Sequence, residues 1–121
     1  MELLRADIPV AEQPSEITRF VVRTFAKSLG RGPTRARAYP TGDVICVLLQ
    51  ETLTRPERLL LEHGQLTELC AMRAAIQRAM RTTLASGIEF ATGRRVVSLH
   101  IDHQVEADIV ALTFVLEASA D

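Results

Sequence analysis

Between residues 15 and 29 the apolar positions Ile17, Phe20, Val21, Phe25 and Leu29, with Thr24, recur at helical spacing. Ser15 suits an N-cap, Glu16 and Lys27 complement the helix dipole, and Gly30 suits a left-handed C-terminal stop. The period then changes to two. Arg35, Arg37 and Tyr39 fall on one strand face, and Thr34, Ala36 and Ala38 on the other. "PTGD" at 40–43 reads as a turn, and "DVICVLLQE" as a second strand with apolar residues on both faces. Thr54 and Pro56 open a short helix built on Leu59, Leu60 and Leu61, and Gly64 closes it. A long helical stripe follows over 66–91 through Leu69, Met72, Ile76, Met80, Leu84 and Ile88, with Gly93 as its stop and Gly87 as a weak point where it is expected to kink. "RRVVSLHID" and "DIVALTFVLE" are strands joined by "HQVEA", a hairpin loop longer than two residues.

The order α-β-β-α-α-β-β predicts an α+β, two-layer sandwich: a mixed or antiparallel four-stranded sheet of two β-hairpins, with helices packed on one face. Residues 1–14, with Pro9 and Pro14 and no clean period, read as a loose N-terminal arm. The domain is expected over 15–117, with a short tail over 118–121. Three helices cover one sheet face only. The other leaves Ile109, Val115 and part of the 44–49 run facing water, a patch large enough to seek a partner. Symmetric self-association is the commonest remedy, so a homodimer is expected, with the arm folding over the patch as the alternative.

Composition narrows the classes. The chain of 121 residues suits one domain, and its 47% hydrophobic content is that of a globular chain. Fourteen basic against fifteen acidic residues give a net charge of −1, which argues against nucleic acid as the main partner. No apolar run approaches the roughly 20 residues of a membrane span, and no signal peptide is evident. A cytoplasmic protein is expected. Cys46 and Cys70 sit outside any CxxC pair and read as buried free thiols.

The glycine- and arginine-rich stretch "SLGRGPTRARAY" invites a phosphate-loop reading. A phosphate loop follows a strand and opens a helix, so that helix N–H groups meet the anion. Here glycine follows a helix and opens a strand, and the lysine-serine/threonine pair of such loops is missing. A different anion site is conceivable where Arg31, Arg35 and Arg37 meet Arg94 and Arg95, because the guanidinium fork suits carboxylate, phosphate or bicarbonate. The ordinary alternative is a solvated strand face paired with Glu51 or Glu57. In "HIDH" (100–103), His100 and Asp102 share a face and His103 points away. A metal would need a third convergent ligand such as His63, and a metal-dependent hydrolase on these residues is the outside reading. Asp102 is alternatively a turn cap. Cys46 has no base nearby in sequence, Ser98 beside His100 is unspecific, and no catalytic residue, cofactor or metal is assigned. Arg73, Gln77, Arg78 and Arg81 read as a solvated helix face.

Three blocks together, "LGRGPTRARAY" (29–39), "LLQETLTRPERLLLEHG" (48–64) and "TGRRVVSLHIDHQVEADIVALTFVLE" (92–117), resemble the MpsC-type family. That family was once classed as a domain of unknown function and is named for a Na+-translocating, membrane-potential-generating system. Gly30-Arg31-Gly32-Pro33-Thr34 with the alternating basic residues is the most specific element, supported by Leu53, Thr54, Glu57, Thr92, Gly93 and Asp102. The resemblance implies an accessory subunit associated with membrane partners of ion and inorganic-carbon uptake. It brings no catalytic residues with it. The residues it singles out for partner or ligand contact are Gly30, Arg31, Gly32, Pro33, Thr34, Arg35, Arg37 and Asp102. The expected function is therefore a non-enzymatic accessory or regulatory protein working by protein–protein binding. The alternative is a bicarbonate or nucleotide sensor using Arg35, Arg37 and Arg95.

Overall fold

The computed structural model describes residues 15–118, so the arm over 1–14 and the end of the tail lie outside the described residues. Among the described residues, three helices and four strands follow in the expected order: α1 (Ser15–Leu29), β1 (Arg35–Thr41), β2 (Val44–Gln50), α2 (Arg55–Glu62), α3 (Leu66–Thr92), β3 (Val96–Gln104) and β4 (Ile109–Leu116). The sheet is antiparallel throughout, in the order β1-β2-β4-β3. The two hairpins thus place their second strands side by side at the centre, and both first strands form edges.

Alternation decides the layers. Val47, Leu49, Val110, Leu112 and Phe114 are fully buried on one face, against Val21 and Phe25 of α1 and Leu84 and Ile88 of α3. Burying a side chain of that size contributes about 1.5–3 kcal/mol. The helices α1 and α3 lie over this face, while α2 packs against α3. A second small cluster forms there from Leu53, Leu69 and Val105 with Leu60, Leu61 and Leu66.

The helix ends follow local chemistry. Gly30 leaves α1 at φ 89°, and its N–H bonds Ala26 O at 2.8 Å. Thr54 caps α2 in a reciprocal box: its hydroxyl accepts from the Glu57 N–H, and the Glu57 carboxylate accepts from the Thr54 N–H. Gly93 ends α3 at φ 72°. α3 runs as one continuous helix of 27 residues through Gly87. A Cβ at Gly87 would overlap the Phe20 ring of α1, so the glycine serves close helix approach.

Three further expectations are corrected. The β3–β4 turn is shorter than "HQVEA", because β3 continues to Gln104. Asp102 is therefore a strand residue, and the turn is governed by Asp108. Cys70 is exposed and Cys46 half-buried, so neither is a core thiol. Arg73, expected on a solvated helix face, is only 2% exposed.

Candidate functional site

The strand registers fix the sheet face that carries no described helix as a grid of four rows. The first reads Arg35, Gln50, Ile109, Gln104 from β1 across to β3, and the second Arg37, Leu48, Ala111, Asp102. The third reads Tyr39, Cys46, Thr113, His100, and the fourth Thr41, Val44, Val115, Ser98. Residues of the two central strands on this face are half-buried, while Arg35, Arg37, His100 and Asp102 at the edges are exposed. The centre is largely apolar. One edge carries guanidinium groups, and the other a carboxylate and an imidazole.

A hollow of about 310 Å³ lies over β1 and β2, lined by Arg35, Ala36, Arg37, Tyr39, Leu48 and Gln50. Tyr39 shares the strand face expected for Arg35 and Arg37, while Leu48 and Gln50 also belong to this surface and were not singled out from the sequence, although their alternation with buried neighbours marks them. Arg37 and Tyr39 are engaged in interactions within the chain.

The remaining sequence candidates are spread out. Arg31 is half-buried and its Nη1 donates to Leu53 O at 2.9 Å, which ties the α1–β1 connection to the β2–α2 loop. The Thr34 hydroxyl donates to Glu51 Oε1. Gly32 and Pro33 pack half-buried between them, and Gly30 terminates α1. Arg94 binds Asp43 and Glu117 O, pinning the β1–β2 turn to the end of β4. Arg95 precedes β3, and its carbonyl accepts from Glu117 N. That puts Arg95 at the corner of the sheet diagonally opposite Arg35. Three strand spacings, about 14 Å, separate the two edges laterally. Arg35, Arg37 and Arg95 are therefore not brought together around one small anion. Among the described residues no group of three His, Cys, Asp or Glu is arranged to hold a metal. His100 and Asp102 face away from the helices, and His103 lies on the helix side.

At the Arg35–Gln104 end of the sheet lies a buried polar cluster that periodicity did not reveal. Arg73 of α3 donates from Nε and Nη2 to the Glu57 carboxylate, and its Nη2 also bonds Thr52 O at 2.9 Å. Side chains 3% and 1% exposed make this a fully interior ion pair. The solvated-face reading fails for Arg73 because it follows Leu69 on the buried side of α3, where Leu69 packs against Leu53 and Val105. The first turns of that helix lie over the β2–α2 loop, where a surface position becomes an inside one. Glu57 likewise is not a partner of the β1 arginines.

Asp108 is the second anchor. Its carboxylate accepts from the N–H groups of Thr52 and Leu53 at 2.9 and 3.1 Å, and from the Thr52 hydroxyl at 3.1 Å. Arg58 adds a contact at 3.3 Å. Asp108 and Glu51, at φ 55° and 62°, are the non-glycine residues in the left-handed region among those described. They are joined by a bond from Glu51 N to Asp108 O of 3.0 Å. Such strain costs of order 1–3 kcal/mol per residue and persists only where surroundings enforce it.

Burial alone would raise the Glu57 carboxyl, but hydrogen bonds and charge from Arg73, with bonds from Thr54, outweigh it and hold the group below the usual range. Burial likewise works to raise Asp108, and the Leu53 and Thr52 N–H groups reverse it to a net lowering. His103 goes down: burial disfavours its imidazolium and the Arg73 charge adds to that, against weaker opposition from Asp108 and Glu57. Its Nε2 stands 3.8 Å from Asp108 Oδ1, beyond hydrogen-bond range.

Residues 11–118 match the model of the family described as Na+-translocating membrane potential-generating system (MpsC). The chain belongs to the MpsC family. No curated protein and no solved structure matches it. Among the described residues of this MpsC family member, no helix is long and apolar enough to cross a membrane. The segment 30–34, which carried the resemblance most specifically, works here as a brace. Arg31 and Thr34 fasten the first hairpin to the loop that the Asp108 and Glu57 carboxylates hold from below.

Proposed function

We propose that this MpsC family member is a non-enzymatic accessory protein of a membrane-potential-generating system, acting by protein–protein contact through the sheet face that carries no described helix. The observation that carries the reading is the grid itself: a largely apolar centre on β2 and β4, rimmed by Arg35 and Arg37 on one edge and Asp102 on the other. A polar rim around an apolar core is the anatomy of a recognition surface. The buried groups best suited to chemistry already have structural tasks. Glu57 caps α2 and pairs with Arg73, and Asp108 holds the 51–54 loop. The family description supplies the membrane context.

The test compares faces. Tagged full chain is used to recover proteins from detergent-solubilised membranes, as wild type, as Arg35→Ala/Arg37→Ala, and as Arg23→Ala/Lys27→Ala on the groove between α1 and α3. The sheet-face pair should lower recovery of a specific membrane protein at least about fivefold, and the groove pair should not. Equal recovery with all three forms would remove the sheet face from the account.

A second reading, anion sensing, is favoured by the hollow beside Arg35, Arg37, Tyr39 and Gln50. It excludes Arg95. A specific anion there raises the thermal midpoint by mass action, and bicarbonate and nucleotides with no effect would dismiss it.

A further inference from the structure

Resting on the reading of the sheet face as a recognition surface, we infer that its first occupant is a second copy of this chain. The two copies meet face to face across a two-fold axis that runs along the strands.

The edges are unsuited to pairing. β1 carries Pro40, which offers no N–H, and β3 shifts register between Val96 and Ser98. Edge prolines and bulges both block strand addition. An extended eight-stranded sheet is thereby disfavoured, which leaves the face. Two sheets stacked face to face align within about 30°, and a symmetric pair can do so about either of two in-plane axes.

The charge pattern chooses between them. An axis across the strands sets each β1 over the partner's β1. Arg35 and Arg37 of both copies then crowd one side, and both Asp102 carboxylates the other. An axis along the strands sets β1 over the partner's β3 and keeps every row at its own height. Row one then opposes row one, so Arg35 lies over the partner's Gln104. The partner's Asp102 is one row away, about 7 Å along the strand, within the span of an arginine side chain. The exchange occurs twice by symmetry. It does not depend on Arg37, which is engaged within its own chain. The same operator sets Leu48 over the partner's Ala111, large against small, and Val44 over the partner's Val115, two residues of equal size. The first pairing is the interlocking a core of two sheets needs. The face measures roughly 19 by 24 Å from strand spacing and rise, about 460 Å² per copy, which is below the standard interface size and suits a weak, reversible dimer.

The experiment is sedimentation equilibrium on purified full chain from about 1 to 500 µM, a range set for micromolar affinity. Wild type should associate to a dimer. Arg35→Glu and Asp102→Lys each place like charges at both exchange points and should weaken the dimer at least about tenfold. The double variant Arg35→Glu/Asp102→Lys restores opposite charges and should recover the wild-type constant. All positions are exposed, and unchanged thermal midpoints at low concentration establish that each variant folds. A wild type monomeric throughout overturns the inference while leaving the membrane-recovery test intact, so the two readings fail separately. A dimer indifferent to both single changes overturns the chosen face. Single variants that weaken and a double that stays weak overturn the axis, because positions 35 and 102 then do not face one another across the interface.

Discussion

Arg73 shows how one residue's position can matter more than its type. A guanidinium and a carboxylate taken out of water lose hydration worth several kcal/mol each, and their mutual attraction has to offset it. Here the geometry is good: Nε and Nη2 both reach Glu57, and Nη2 bridges on to Thr52 O. Removing one partner leaves the other charged and buried. Arg73→Met should therefore cost about 3–5 kcal/mol, read as a fall in the urea midpoint. Glu57→Gln keeps the N-terminal capping box, since glutamine also serves at that position. The double variant Glu57→Gln/Arg73→Met should then be more stable than Arg73→Met alone. If the single Arg73 change costs under about 1 kcal/mol, the range of an exposed pair, the interior ion pair described here is wrong.

At the scale of elements, the contact between α1 and α3 depends on one missing methyl group. Phe20 lies where the Cβ of an alanine at position 87 would stand. Alanine improves helix propensity by about 1 kcal/mol, whereas overpacking typically costs 1–3 kcal/mol. An overlap with ring carbons belongs at the upper end of that range. Gly87→Ala should lower stability by about 1–2 kcal/mol net, the difference of these two. In a Phe20→Ala background the same change should raise stability, since only propensity remains. A change of the same sign in both backgrounds would refute the close contact. The sequence shows the glycine but not its reason. Helical and strand periods, Gly93 and the Thr54–Glu57 box are local signals, and they place the elements within a residue or two. The alternation that displays Arg35 and Arg37 is local too. What α3 meets at Arg73, and what α1 presents to Gly87, depend on the packing of elements far apart in sequence. For Arg73 one trace existed: it falls four residues after Leu69 on the buried stripe. Arginine is so commonly a surface residue that its type outweighed its phase. The turn role of Asp108, read from the sequence only as the start of a strand, was hidden for a related reason. Either aspartate could cap the hairpin turn, and the pairing that carries β3 to Gln104 decides between them.

For the whole molecule, the buried cluster makes stability depend on pH in two separable windows. His103 has a folded-state value below its ordinary 6.5, so as pH falls the unfolded chain takes up that proton first. Where the unfolded state binds more protons, stability rises with pH. The His103 contribution is thus complete above about 6.5 and declines as pH drops from there toward the lowered folded value. The charged groups facing it are Arg73 from α3, Asp108 from the β3–β4 turn and Glu57 from α2, and the two carboxylates do not reverse the shift. Glu57 and Asp108 are also held low. Their stabilisation is complete above their ordinary values, about 4.5 and 3.8, and is lost only as pH falls below those. Urea midpoints for the wild type should therefore decline already between about pH 7 and pH 5, ahead of the carboxylate window. His103→Gln removes the titrating ring while keeping a polar side chain. It should flatten the upper decline and leave the lower one in place. An upper decline equal in both proteins would assign it to another group, and a wild type without one would mean that the His103 ring is not held neutral by its surroundings.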